Sequence, residues 1–183
     1  MSLSDASDTF PGGAADAELA VFVYGTLLPG FKNHANVVRG RALRAEPATL
    51  AGVRLHHYAA GFPGMTRAPA GGAAPAGGVA GALLYFARGD AREVLADLDL
   101  LEDYFGAGDA RNQYNREAVN ARRAVDGCVV AAWAYFSLLD AAAEGAVPVG
   151  GGDWRAFMAE KGLQDAADDW REKLAAARGA GEG

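Results

Sequence analysis

Of the 183 residues only one, Cys128, is a cysteine, so no internal disulfide framework is available. It sits in the apolar run "CVVAAWAYF", where a thiol is expected to pack into a core strand rather than act as a nucleophile. Histidine is nearly as scarce: His34, His56 and His57 are the full set. The adjacent pair would point to opposite faces of a strand, and no H-x-x-x-H or Cys/His spacing occurs, so no metal site is expected. No G-x-S-x-G motif occurs, which removes the usual serine nucleophile. Basic residues are outnumbered, 17 to 23, and the net charge is −6. With no basic cluster or aromatic–basic stripe, nucleic acid is not expected as a partner. No run of about 18 apolar residues exists, so no membrane span is expected. The start lacks the basic segment and apolar run of a secretory signal, which makes a reducing cytoplasm the expected location.

What is present reads as one ordinary domain with appendages. Residues 1–18 are expected to be a disordered lead-in, 19–140 the domain, and 141–183 a helical extension packed on it. "LAVFVYGTLLPG" opens with a strand over Val21–Tyr24 that runs into Gly25. A short helix is predicted over Asn33–Val38, stopped by Gly40. "ATLAGVRLHHY" reads as a strand or strand pair, and "AGFPGMTRAP" as a turn-rich loop centred on Pro63 and Gly64. The low-complexity segment 68–78, "APAGGAAPAGG", reads as a mobile loop. "VAGALLYFA" (79–87) is a strand, followed by a helix whose start Asp90 and Glu93 would cap reciprocally. "QYNREAVNARR" alternates as a strand that puts Tyr114 and Arg116 on one face, and "GCVVAAWAYF" is a central strand. Asp153 caps a helix that Gly162 stops, and "LQDAADDWREKLAAAR" is a final amphipathic helix with Leu163, Trp170 and Leu174 on its apolar side. Strands and helices do not alternate as βαβ units. The expected fold is therefore α+β, built on a mostly antiparallel or barrel-like sheet.

One stretch poses a chemical question. "LADLDLLEDYFG" (95–106) carries four carboxylates, Asp97, Asp99, Glu102 and Asp103. On a helix over Ala91–Phe105, at about 100° per residue, Val94, Leu95, Leu98, Leu101 and Phe105 define the buried arc. Asp97 and Asp103 fall outside that arc and Asp99 near its edge. Glu102 falls inside it, aimed at the interior or at a cavity. Burial disfavours the ionised carboxylate, so such a residue needs a partner or a purpose. Two readings stand. Glu102 pairs with an arginine such as Arg116 or snorkels outward, or it lines a cavity as a general acid/base with an upward-tuned pKa.

"VFVYGTLLPG", "GFPGM", "LDLLEDY" and "YNREAV" occur in that order. Together they resemble the gamma-glutamylcyclotransferase family, including its AIG2-like and gamma-glutamylamine cyclotransferase branches, from about Val21 to Phe136. "DWR" at 153–155 is similar to the C-terminal extension of bacterial members. The resemblance implies a small, mostly antiparallel β-barrel flanked by helices. It implies release of a gamma-glutamyl group as 5-oxoproline, freeing an amine or amino acid. By this resemblance Glu102 matches the family's catalytic glutamate in the pattern L-D-x-x-E, Tyr24, Gly25, Thr26 and Leu27 match its substrate-cradling loop, and Tyr114 matches its substrate-side tyrosine. The sequence departs from the pattern at Asp103, where the family often has glycine. The spacer "DYFGAGDARNQ" and the 68–78 loop are also longer than usual.

The chemistry suits these residues. In a gamma-glutamyl amide the α-amine attacks its own γ-carbonyl, so the first task is to hold the folded-back conformer. One carboxylate removes a proton from the α-ammonium and hands it to the departing amine, as Glu102 would do. Backbone N–H groups of Gly25, Thr26 and Leu27 would stabilise the oxyanion and bind the α-carboxylate, with Gly25 admitting close approach. Tyr114 would donate its hydroxyl to Glu102 or to the substrate. Arg116 would bind a carboxylate or neutralise an acid of the helix. Nothing is oxidised and no water is consumed, so no cofactor is expected. The expected partner is a small gamma-glutamyl substrate, to a monomer or homodimer. Two other functions fit the same residues: a catalytically silent binding module of this fold, and an amide hydrolase in which Glu102 activates water.

Overall fold

The computed structural model describes residues 18–165 apart from 39, 70, 71 and 73, together with Pro11. The strands are β1 (Glu18–Val23), β2 (Ala42–Leu50), β3 (Val53–His57), β4 (Pro63–Arg67), β5 (Val79–Ala87), β6 (Tyr114–Arg123), β7 (Val129–Ser137) and β8 (Val147–Pro148). The α-helices are α1 (Ala91–Leu101) and α2 (Trp154–Lys161), with a π-helical turn at His34–Val38. Five strands close into a barrel in the order β1-β5-β2-β6-β7, and β4-β3-β8 form a second sheet. Barrel neighbours are antiparallel except at the closure, where β1 meets β7 in parallel at Val21–Trp133. The α+β, mostly antiparallel barrel expected from the pattern is the fold observed.

Closure explains the composition of the strands. A barrel has no free edge, so β1 and β5 carry near-continuous apolar runs that pack inward and against covering elements. Val21, Phe22, Leu83, Leu84 and Phe86 are fully buried. The core continues beyond the barrel: Val149, Trp154 and Met158 join the same cluster. Asp153 accepts a hydrogen bond from Ala156 N at 3.1 Å at the start of α2, and Gly162 closes its end with φ 61°.

Several elements depart from expectation. Pro63 and Gly64 lie in β4, not in a loop. Pro63 is the first residue of its strand, a position where the missing N–H costs no ladder bond. The "ATLAGVRLHHY" segment divides between β2 in the barrel and β3 in the second sheet. Cys128 is exposed, in the turn that precedes β7, so the core placement is wrong. Its backbone N–H instead donates to Asp126, which ties down the turn. α1 stops at Leu101 rather than Phe105, and Phe105 is exposed. Asp90 makes no side-chain cap, because a 3-10 turn over Arg88–Asp90 leads into the helix. Asp97 is buried, against the wheel. Arg41 reaches it with Nη1 at 2.5 Å, and a paired carboxylate tolerates burial that an unpaired one does not. β1 begins at Glu18, one residue inside the expected lead-in. The rest of that lead-in apart from Pro11, and the final helix from residue 166 onward, lie outside the described residues.

Candidate active site

A cleft of about 650 Å³, its open mouth included, lies at one end of the barrel. The end of β1 and the turn after it supply Phe22–Leu27. Phe62 and Pro63 come from the head of β4, Leu101, Glu102 and Asp103 from the end of α1, Gln113 and Tyr114 from the start of β6, and Tyr135 from β7. Glu102, Tyr24, Gly25, Thr26, Leu27 and Tyr114 are thus brought to one place from three distant segments. Arg116 is not among the cleft-lining residues.

The end of α1 aims Glu102. Its N–H donates to Leu98 O at 3.0 Å, and its dihedrals (φ −89°, ψ 8°) already leave the helix. Asp103 then takes φ 47°, the left-handed conformation in which helices commonly end and which glycine adopts without strain. The Asp103 carbonyl accepts from Gln113 N at 3.0 Å, which pins the turned-back chain to the start of β6. The glycine-to-aspartate departure therefore falls on a backbone turn at the cleft's lip.

The tyrosine-glycine-threonine turn is locked by its own bonds and by β4. Gly25 O accepts from Leu28 N at 2.9 Å and Thr26 O from His34 N at 3.2 Å. Thr26 Oγ1 accepts from the buried Asn33 Nδ2 at 3.1 Å. The turn thus uses its carbonyls and its hydroxyl internally, while residues 25–27 line the cleft. Gly25 has a structural reason beyond substrate access: a Cβ there would lie 2.3 Å from Pro63 Cγ. A Cβ at Gly64 would lie 2.2 Å from Tyr58 Cε2. The "GFPGM" segment is therefore the wall against which "YGT" packs.

Three phenols surround the cleft, and each hydroxyl proton is committed within the protein. Tyr24 donates to Tyr135 O at 2.8 Å and accepts from Met65 N at 3.3 Å. Tyr114 donates to Pro63 O at 2.9 Å, which ties the start of β6 to the head of β4. Tyr135 donates to Asp99 Oδ1 at 2.6 Å. Burial pushes the Tyr24 phenol well above the usual tyrosine pKa, and the neighbouring Glu102 charge pushes it further. Burial also raises Tyr135, with Asp99 adding to the effect. Arg116 pairs with Asp99, its Nη1 lying 2.8 and 3.1 Å from the two carboxylate oxygens. Its guanidinium also lies 5.4 Å from the Tyr104 ring and 5.1 Å from the Trp133 ring.

Sequence reasoning missed Phe62, Pro63, Gln113 and Tyr135 as cleft residues. "GFPGM" held the signal for the first two, but Tyr135 is an unmarked position within an apolar run. Among the described residues no group of three or more His, Cys, Asp or Glu side chains is arranged to hold a metal. No described helix is long and apolar enough to cross a membrane.

A five-stranded barrel with a carboxylate and a glycine turn at one end defines a class of small cleft proteins. The family described as gamma-glutamyl cyclotransferase, AIG2-like, matches residues 21–156, and the chain belongs to that family. Among solved structures, an AIG2-like protein from mouse superposes with a TM-score of 0.54 at 19% identity, covering 84% of this chain and 99% of that one. A protein of Arabidopsis thaliana, solved in solution, gives 0.51 at 20% identity over 80% and 78% of the two chains. YkqA of Bacillus subtilis gives 0.51 at 21% identity over 80% of this chain; the chain spans 44% of the length of YkqA. No curated protein matches.

Proposed function

We propose that the protein is a gamma-glutamyl cyclotransferase, converting a small gamma-glutamyl amine or amino acid to 5-oxoproline and the free amine. The observation that carries this reading is that Glu102 and the Tyr24–Leu27 turn line one cleft. In the proposed reaction Glu102 takes a proton from the substrate's α-ammonium. The freed amine attacks the γ-carbonyl, forming the lactam C–N bond. The tetrahedral intermediate then collapses, the original amide C–N bond breaks, and Glu102 returns its proton to the departing nitrogen, which also carries off the second proton lost by the attacking nitrogen and leaves as an ammonium. Atoms balance with no water and no redox partner. N–H groups of Gly25, Thr26 and Leu27 serve the oxyanion and the α-carboxylate, which suits a turn whose Gly25 and Thr26 carbonyls are already occupied. Tyr114 acts by holding Pro63, the floor of that turn, and presents its phenolic oxygen as an acceptor.

The test is incubation with a panel of gamma-glutamyl amines and amino acids, reading 5-oxoproline by chromatography. Free glutamate in its place would mean a hydrolase; binding with neither product would mean a silent module. Replacement of Glu102 by glutamine is expected to lower kcat by about 10²–10⁴-fold, the usual worth of a positioned acid/base, with folding and ligand affinity retained. An unchanged rate in that variant would remove Glu102 from the mechanism.

A further inference from the structure

The L-D-x-x-E pattern holds a second acid, Asp99, that the proposed chemistry leaves unused. It lies three residues before Glu102, on the adjoining part of the same helical face. Its carboxylate accepts from the Tyr135 hydroxyl at 2.6 Å and sits against Arg116 Nη1 at 2.8 and 3.1 Å. Its own backbone carbonyl accepts from Tyr104 N at 2.9 Å, so the chain leaving Glu102 folds back onto the same residue. Asp99 thus binds the last turn of α1 to β7 through Tyr135 and to β6 through Arg116. The connection reaches the far wall of the cleft, because the Tyr135 carbonyl accepts the Tyr24 hydroxyl at 2.8 Å.

Stability alone does not account for this cluster. The Asp99 and Arg116 side chains are 22% and 11% exposed. A largely buried ion pair gains little over a well-packed apolar pair, since desolvation offsets the Coulomb attraction. What an ion pair with a short charged hydrogen bond supplies is direction: its partners must be at set distances and angles. A helix that ends at Leu101 frays there unless tied, and the residue at that end is the proposed acid/base.

We propose that Asp99 is a positioning residue for Glu102, fastening the end of α1 to the barrel wall through Tyr135 and Arg116 so that the Glu102 carboxylate stays aimed into the cleft. The proposal rests on the cyclotransferase reading for its catalytic consequence, and it assigns Arg116 a supporting place behind the cleft.

Tyr135→Phe, which deletes one oxygen, and Asp99→Asn, which keeps the shape and an acceptor, test it. Both are expected to lower kcat by about 10-fold or more with KM changed less than about threefold, since a misaimed acid/base loses rate rather than substrate. Hydrogen exchange should quicken at the Glu102 and Tyr104 amides, whose acceptors are the carbonyls of Leu98 and Asp99. The double variant should lose less than the product of the two single losses, because both act through one network. Values of kcat within twofold of the parent, or exchange at those amides unchanged, would overturn the proposal. If Asp99→Asn fails to fold, Tyr135→Phe decides alone. If the parent forms no 5-oxoproline, the function reading falls and the exchange measurement alone decides whether Asp99 fastens the helix end.

Discussion

Replacing Gly25 with alanine separates two reasons for a glycine at the end of β1. One is room for the substrate; the other is room for Pro63. The added Cβ would lie 2.3, 3.3 and 3.5 Å from Pro63 Cγ, Cβ and Cδ. Carbon atoms rest about 3.5–4.0 Å apart, so the nearest pair must separate by about 1.2 Å. Pro63 is poorly placed to yield. Its ring is rigid, it pairs with His57 across β3 and β4, and its carbonyl takes the Tyr114 hydroxyl. The turn is held as well, since Tyr24 is bonded to Tyr135 and Met65. With neither side free, the cost belongs in the upper part of the overpacking range, about 2–3 kcal/mol. That corresponds to a fall in Tm of about 4–12 °C for a chain of this size. Calorimetry or urea unfolding reads it. Pro63→Ala removes Cγ and Cδ, so the Gly25→Ala/Pro63→Ala pair should be more stable than the sum of its single changes by at least about 1 kcal/mol. A Gly25→Ala protein melting within about 1 °C of the parent, with an additive double variant, would refute the packing argument. The glycine would then serve the substrate alone, and only KM should rise.

Two further perturbations test the same cleft. The Tyr24 and Tyr135 phenols are raised above the ordinary value near 10, chiefly by burial, and burial together with Glu46 also raises Tyr85. Since the native state holds these protons more tightly than the unfolded chain, their contribution is full below about pH 10 and is lost as pH climbs through the native pKa values. Absorbance at the phenolate band should therefore show Tyr24 and Tyr135 ionising only as near-UV circular dichroism collapses; all six tyrosines titrating in a protein with intact dichroism would contradict this. At Asp103, with φ 47°, Tm should fall in the order glycine, aspartate, alanine, valine, with glycine gaining up to about 1 kcal/mol and valine losing about 1–2 kcal/mol; valine matching aspartate would mean that the turn carries no such constraint.

The elements legible in the sequence are those whose cause is local. β5 is an apolar run bounded by glycine-rich and charged segments, and it occupies Val79–Ala87 as the pattern predicts. The start and stop of α2 follow from Asp153 and Gly162, whose capping geometry needs only near neighbours. Where the reading failed, the deciding partner lies far along the chain. Asp97 is buried because Arg41, 56 residues away, reaches it; a helical wheel contains no such information. Pro63 reads as a loop until β3 and the Gly25 turn are placed beside it. The bond from the Tyr114 hydroxyl to Pro63 was not legible, because its acceptor is a carbonyl 51 residues away, and no residue type announces a carbonyl. The same distinction orders the cleft. Motifs identified which residues converge there, since turn chemistry and helix periodicity carry their positions. They did not reveal the supporting wall, because Tyr135, Pro63 and Asp99 act through backbone groups and through partners on other elements. The physical meaning of L-D-x-x-E differs accordingly at its two acids. Glu102 is marked by where the helix face points, whereas Asp99 acquires its role only when β6 and β7 supply Arg116 and Tyr135 across the barrel wall.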